Sequence, residues 1–571
     1  MTNPEIASVL DDIADLLEFQ AANPFRVRAY RNAARTIRDL PEPVEGILAD
    51  PERKLTDVDG IGKDLAEKIA TLVATGSMVM LDELRAQVPE SVLAILRVPG
   101  LGPKRAAALF HELKVTSLDE LRDACQRHMV RELKGFGEKT ESTILEGLEI
   151  AAQADQRTYW ADADQIAQAL LGHLDACQAV RRREVAGSYR RGKDTIGDLD
   201  ILVLADDPVK AMDSLARFPG VAAVLARGDT KMSVRLKTHL QVDLRVVPAE
   251  SFGAALQYFT GSKAHNVELR GLARSRGLKV NEYGVFRGDK QIAGRTEEEV
   301  YQAVGLPWIP PELREARHEF QWAAEGILPQ LIELDDLRGD LHSHSTWTDG
   351  MATIEEMAQA AIERGLKYLA LTDHSKRVTM AGGLDGDKLR RQWEEIDRIN
   401  ARYKEFTLLK GVEVDILERG GLDLPDDVLS EADWVVASVH YGQRQSREQI
   451  TQRVIGALEN PYVCAIGHPT GRLINQRNAY EIDMDAVLRA ARSNRKMMEL
   501  NAHPRRLDLD DVACAVAKNY QVPVVISTDA HNIVGLDAMR YGVLQARRGG
   551  LTRHDVANTR SWAQLKKMLH R

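Results

Sequence analysis

Residues 185–203 read VAGSYRRGKDTIGDLDILV: a turn at Gly187 and Ser188, a basic loop, then a strand. Side chains alternate along a strand, so Asp198 and Asp200, at i and i+2, leave the same face of a sheet. Carboxylates this close need a cation, and two divalent ions about 3.5 to 4 Å apart suit an in-line displacement at phosphorus. Asp243, in the run LQVDLRVV at 240–247, can bring a third carboxylate from an adjacent strand to activate a hydroxyl nucleophile. Gly187 and Ser188 open a loop whose amides and hydroxyl, with Arg191, can hold a triphosphate. A lone Asp-x-Asp is more often a surface turn, but the Gly-Ser turn and basic loop ahead of this one argue against that reading.

Beyond about residue 336 the pattern becomes apolar strand, candidate ligand and helix. It recurs in RGDLHSH, YLALTDH, TLLKGVEVDIL, WVVASVH, VCAIGHP, MMELNAH and VVISTDAH. Seven strands alternating with helices predict a parallel (β/α)7 barrel, with each ligand at the carboxyl end of its strand. The candidates are His342, His344, Asp349, His374, Glu413, His440, His468, Asp529 and His531. One histidine beside an apolar run is usually a core residue; nine candidates at matching strand ends reverse that expectation. The upstream set is all carboxylate, as Mg2+ prefers, whereas this one is rich in imidazole and suits Zn2+, Mn2+ or Fe2+. Two active sites are therefore expected. His503, Arg505 and Arg506 are candidate substrate contacts.

The first 150 residues carry VDGIGKDLAEKIA, VPGLGPKRAAALF and KGFGEKTESTI. Each places two glycines before a helix with an early lysine: Gly60 and Gly62, Gly100 and Gly102 followed by Lys104, Gly135 and Gly137. Paired glycines permit a tight turn that bares amides at a helix N-terminus, a place that favours a phosphate. This helix-hairpin-helix pattern touches backbone and not base edges, so it predicts sequence-independent DNA binding; the competing reading is ordinary helical hairpins with glycine caps. Lys68, on the helix after the first hairpin, could attack an aldehyde sugar if neighbouring cations or desolvation lowered its pKa. Arg26, Arg28 and Arg31 form a basic patch that is either phosphate-facing or merely exposed.

A chain of 571 residues, 44% hydrophobic and 28% charged, should hold several globular domains. It opens polar and contains no apolar run near 18 residues, so a cytoplasmic protein without a membrane span is expected. Cys125, Cys177, Cys464 and Cys514 form no Cys-x-x-Cys pair and read as reduced core residues. The net charge of -9 opposes a general nucleic-acid coat, but charge is local: 263–295 holds eight Lys or Arg against three acids. Residues 301–336, with seven acids against two Arg, read as a solvated boundary.

The Gly-Ser turn followed by Asp-x-Asp resembles the nucleotidyltransferase superfamily. With YFTGSKAHNVELR at 258–270 and VDLRV, it is similar to the palm and nucleotide-selecting segments of X-family DNA polymerases. That resemblance implies Asp198, Asp200 and Asp243 as ligands of Mg2+ or Mn2+, and Ser188 and Arg191 as triphosphate contacts. It implies Tyr258, Phe259 and Gly261 against the sugar, Asn266 at the base edge, Arg270 on the template side, Arg157 as a further phosphate arginine and Lys68 as a deoxyribose-phosphate lyase nucleophile. Residues 25–27, Phe-Arg-Val, depart from the phosphate-binding trio of the vertebrate repair enzymes. The barrel ligands resemble the PHP (polymerase and histidinol phosphatase) family over 337–571. This implies up to three ions: His342, His344, Glu413 and Asp529 on one, Glu413 bridging to a second with His440 and His468, and Asp349, His374 and His531 on the third. Asp349 stands where some relatives have histidine.

The domain order resembles bacterial family X DNA polymerases with a C-terminal PHP domain. The implied architecture is multidomain α/β. A lyase-like helical domain (1–85), a helix-hairpin-helix domain (86–155), a mixed-sheet palm (156–250), a nucleotide-selecting subdomain (251–315), a linker (316–336) and a distorted (β/α)7 PHP barrel (337–571) follow in turn. The implied activity is dNTP-dependent filling of short DNA gaps in base excision repair, with 3'-5' exonuclease and AP endonuclease activity in the barrel. Gapped or primed duplex DNA is the expected partner and a monomer the expected state. Rival readings are a barrel that hydrolyses a small phosphate ester, such as histidinol phosphate, and a DNA-binding scaffold with inert domains.

Overall fold

Alternation along Asp198–Ala205 divides the central sheet into two faces in the computed structural model. The structure describes all residues except 2, 21, 41–43, 52, 59, 88–90, 97, 99, 100, 155, 156, 570 and 571. Leu199, Ile201 and Val203 enter a core with Val242 and Leu244, beneath the helices Trp160–Asp175 and Pro208–Ala216. Leu202, on the opposite face with Asp198 and Asp200, packs against Phe252, Ala255 and Leu256 of the helix Phe252–Thr260. The sheet is mixed: Val180–Val185, Asp198–Ala205, Gln241–Val246, Lys231–Leu236 and Val221–Arg227 lie side by side in that order. Asp198–Ala205 and Gln241–Val246 are parallel, and their register sets Asp200 opposite Asp243. A second layer follows, with the helix Lys263–Ser275 and an antiparallel sheet of Lys279–Asn281, Gly284–Arg287 and Lys290–Ala293.

Seven parallel strands from Gly339–Asp340 to Val524–Ser527 neighbour one another in sequence order. Their near-continuous apolar character reflects burial on both faces, and the helices between them sit outside. A bridge between Ser343 and Ala530 links the first and last strand ends, with His344 N donating to Ala530 O at 2.8 Å and Asp529 N to His342 O at 2.9 Å. The barrel is thereby nearly closed. Among the described residues no helix is long and apolar enough to cross a membrane.

The expected solvated boundary is instead packed up to Ala323, whereas Glu325, Glu333 and Asp335 beyond it are exposed as expected. Arg314 and Glu319 are buried, as are Phe320 and Ala323 on the helix Glu319–Glu325. Glu312 pairs with Arg547, Glu315 with Arg191 and Arg548, and Glu319 with His265. Composition suggested solvent because the partners of these acids lie far away in the chain. Cys125, Cys464 and Cys514 are buried, whereas Cys177 is only half-buried, so it is not the core residue expected.

Candidate active sites

The positive φ of Gly187, +64°, lets the chain turn against the sheet, and a Cβ there would stand 2.8 Å from Asp200 Oδ2. The amides after the turn thus lie beside the carboxylates because residue 187 has no side chain. Ser188, Arg191, Asp198, Asp200, Tyr258, Phe259, Gly261, Asn266 and Arg270 join Gly187 in lining one open cleft of about 500 Å³. Asn266 Nδ2 donates to Tyr258 O at 2.7 Å, and Arg270 Nε to Asn266 O at 3.1 Å. Thr260, Ser262 and Lys263 also line the cleft; their place between Phe259 and Asn266 was a signal for them. Arg157 is tied to Thr195, Nε to Oγ1 at 2.7 Å and Nη2 to the main-chain O at 2.5 Å.

Burial and the charges of Asp198 and Asp243 push Asp200 up to about 6. Asp198 is also raised, by burial and then by Asp243. Burial works to raise Asp243 too, but Lys231 Nζ, 2.9 Å from its Oδ2, and Gln241 Nε2, 3.0 Å from its Oδ1, hold it low. Lys231 was missed because its proximity depends on the pairing of two strands. Such mutual repulsion suits a divalent cation.

In the barrel, Glu413 is the hub. Its strand, Thr407–Asp415, continues past the ligand position, so Glu413 lies within the strand and not after it as expected. Its Oε1 is 2.9 Å from His468 Nε2 and 3.3 Å from His440 Nε2; its Oε2 is 2.8 Å from His374 Nδ1 and 3.5 Å from His342 Nε2. His344 Nε2 lies 3.1 Å from Asp529 Oδ1, and Asp349 Oδ2 is 3.4 Å from His531 Nε2 and 3.6 Å from His374 Nε2. Ligand atoms within 4.8 Å of one another group as His344, Asp349, His374 and His531; His342, His344 and Asp529; His374, Glu413 and His440. These sets divide differently from the expected ones: the His344 ring stacks 4.2 Å from His531 and lies tilted 4.5 Å from His374, and His374 leans on Glu413.

Nε2 of His342 and Nδ1 of His344 are buried without a hydrogen-bond partner. Polar atoms pay a desolvation cost when left so, and metal ions on the two sides of His344 would satisfy them, so this donor set fits the divalent ions expected. Outer partners fix the rings: His342 Nδ1 is 2.7 Å from Glu499 Oε1 and His440 Nδ1 is 3.1 Å from Asp415 Oδ1, while Asn501 Nδ2 donates to Asp529 Oδ2 at 3.0 Å. Sequence reasoning missed all three, although a lone acid in the apolar MMELN and the i+2 acid of GVEVD were usable signals. Arg506 Nε lies 3.5 Å from Asp529 Oδ2, and half-buried His503 and Arg505 are near it in the same loop.

In the N-terminal region Gly60 and Gly135 have φ of +81° and +85°. Gly62 and Gly102 cap the helices Lys63–Thr75 and Pro103–Leu113, which contains Lys104, without a side-chain hydrogen bond, leaving first-turn amides to other partners. Glu141 N donates to Gly137 O at the third helix start; Gly100 lies outside the described residues. Arg31 is engaged by Asp15 and Glu18. The pKa of Lys68 is raised and not lowered. Partial burial lowers its pKa, but Asp64 Oδ2 at 2.6 Å and Tyr30 OH at 3.2 Å outweigh that and raise it overall.

A DNA polymerase/3'-5' exonuclease PolX of Bacillus subtilis (strain 168) is 40% identical over 581 residues, covering 100% of both chains. The chain belongs to the bacterial PolX family. Within this PolX chain, families described as helix-hairpin-helix domain, SAM-like helix-hairpin-helix tandem, DNA polymerase beta palm, DNA polymerase beta thumb and PHP domain match residues 1–78, 92–149, 160–249, 255–315 and 340–503. A probable phosphatase of Thermoanaerobacter sp. (strain X514) is 32% identical over 38% of this chain and 89% of its own. DNA polymerase lambda of Rattus norvegicus is 26% identical over 55% of this chain and 56% of its own.

Proposed function

We propose that this PolX member adds dNTPs to DNA 3' ends in the palm cleft and hydrolyses phosphodiesters at 3' ends in the barrel, filling short gaps in base excision repair. The observation that carries the reading is the convergence of Asp198 and Asp200 with Ser188, Arg191, Tyr258 and Asn266 on one cleft, with Asp243 in register with Asp200. In this reading Asp198, Asp200 and Asp243 hold Mg2+ or Mn2+, which when bound supplies charge neutralisation at the transferring phosphoryl group. Ser188, the amides after Gly187 and Arg191 bind the triphosphate; Tyr258, Phe259 and Gly261 bound the sugar, Asn266 meets the base edge and Arg270 faces the template. Asp243, kept ionised by Lys231, accepts the proton of the 3' hydroxyl.

The nine barrel residues would hold up to three Zn2+, Mn2+ or Fe2+ ions, whose chemistry when bound would be to acidify water and neutralise phosphate charge. Glu499 and Asp415 orient His342 and His440, and Arg506 faces the incoming phosphate. AP endonuclease activity belongs to the same site. The hairpins at Gly60, Gly62, Gly102, Lys104, Gly135 and Gly137 grip the DNA backbone, and the domains divide near residues 85, 155, 250, 315 and 336. A cytoplasmic monomer acting on gapped or primed duplex fits this reading. The likeness to a probable phosphatase favours one alternative, a barrel acting on small phosphate esters.

A 5'-labelled primer on a gapped duplex, incubated with Mg2+ or Mn2+ with and without dNTPs, tests both. Extension should be lost in Asp198→Ala alone and shortening in His342→Ala alone. Shortening that survives His342→Ala, together with hydrolysis of histidinol phosphate, would return the barrel to the small-ester reading.

A further inference from the structure

The nucleotide loop is clamped from outside its own domain. The barrel helix Met539–Arg548 lies against it. Gly192, with φ +66°, would place a Cβ 2.5 Å from Leu544 Cγ, so no side chain fits between loop and helix. Tyr541 meets Trp160 edge-on at 5.8 Å. At the end of the helix Arg548, 3% exposed, donates from Nη1 to the main-chain O of Arg191 at 2.7 Å.

The same Nη1 lies 3.0 Å from Glu315 Oε1, the oxygen that accepts from Arg191 Nε at 3.1 Å. Two guanidiniums from different domains therefore share one carboxylate oxygen. Asp511 anchors the outer end, accepting from Arg548 Nη2 at 2.7 Å and from Arg317 Nη2 at 2.8 Å. Glu315 and Arg191 are 13% and 12% exposed, so solvent screens them little and the division of charge among them matters. To meet a triphosphate, Arg191 must turn donors away from Glu315 and from Thr260 O, which Nη1 reaches at 2.6 Å. A carboxylate balanced by Arg191 alone would hold it back more strongly than one already shared.

We propose that Arg548, a barrel residue, is a positioning residue for nucleotide addition: it pins the nucleotide loop and shares Glu315, so that Arg191 is free to engage the incoming triphosphate. The inference rests on the reading of Arg191 as a triphosphate contact, and it makes the palm site incomplete without the barrel. Arg548 lies outside the barrel ligand set, so hydrolysis in the barrel does not depend on it.

The test is single-nucleotide insertion by the full-length protein on a gapped duplex, with dNTP titrated. Arg548→Ala should raise the KM for dNTP about tenfold, the scale of one charge-assisted hydrogen bond, with kcat and barrel shortening retained. Adding Glu315→Gln should restore most of the loss, because the competing charge is gone. A residue that merely glues two domains together would show no such rescue. Should Arg548→Ala fail to fold, Arg548→Lys carries the same test, with a raised KM relieved by Glu315→Gln. An unchanged KM in the folded variant, or a rise that Glu315→Gln does not relieve, overturns the inference. Arg191→Ala separates the two layers: if it leaves the KM unchanged, the triphosphate reading itself fails; if it raises the KM while Arg548→Ala does not, only the present inference fails.

Discussion

Arg314, with no exposed surface, donates from Nη1 to Glu297 Oε1 at 2.6 Å. Glu297 also accepts from Arg190 at 2.8 Å on each oxygen and from Trp308 Nε1 at 3.0 Å. One buried carboxylate thus joins the nucleotide loop to the segment that leads into the barrel.

Glu297→Gln leaves the Arg314 charge without its counterion and should cost about 3 to 5 kcal/mol, read from urea unfolding at pH 7. Burial alone would raise the Glu297 carboxyl, but Arg314 and Arg190 hold it well below the ordinary 4.5. A depressed carboxylate contributes stability that is present above its unfolded value and lost as pH falls through its folded one. The gap between wild type and variant should therefore be full at pH 7 and narrow only below about pH 4.5. A gap that is constant across that range would contradict the pairing.

Glu499→Gln should weaken metal binding in the barrel by about 10- to 100-fold, because the carboxylate that orients His342 and raises its basicity is gone. Calorimetric Mn2+ titration in an Asp198→Ala, Asp200→Ala background isolates the barrel ions. Equal affinities with and without the carboxylate would reduce Glu499 to packing.

Gly253→Ala places a Cβ 2.2 Å from the Thr296 backbone, which cannot step aside like a flexible side chain. The helix Phe252–Thr260 must shift, carrying Tyr258 and Phe259 with it. Overpacking of this kind costs about 1 to 3 kcal/mol. We expect a lower melting temperature and slower nucleotide insertion, with barrel hydrolysis kept; slowing of both activities together would point to general unfolding.

Lys68 is held protonated by Asp64 more than burial discharges it. Asp64→Asn should lower its pKa and increase borohydride trapping on DNA with an abasic sugar at neutral pH, relative to wild type. Trapping that is equal in both proteins, or that persists in Lys68→Ala, would remove Lys68 from any lyase role.

Much of both sites was legible along the chain. The i, i+2 spacing of Asp198 and Asp200 was enough to put them on one face, because alternation is a local property of an extended backbone. Seven repeats of strand and ligand were enough for a parallel barrel, because each repeat carries its own turn, apolar run and polar strand end. Gly187 announced a tight turn for the same reason: its φ is set within one residue. The ligand grouping was less legible. Whether His374 meets Glu413 or only Asp349 depends on ring positions across three strands, which no local pattern records.

Residue identity and spacing by themselves determined which side chains share a face, where the chain turns and which strand ends carry ligands, since those follow from torsions over a few bonds. Only the tertiary structure decided that Glu499 backs His342 across 157 positions of chain, that Glu297 gathers Arg190 from 107 away, and that Arg548 reaches the carbonyl of Arg191 from 357 away. Such partners have no local signature, because a buried charge is matched by whatever packing brings beside it once water is excluded.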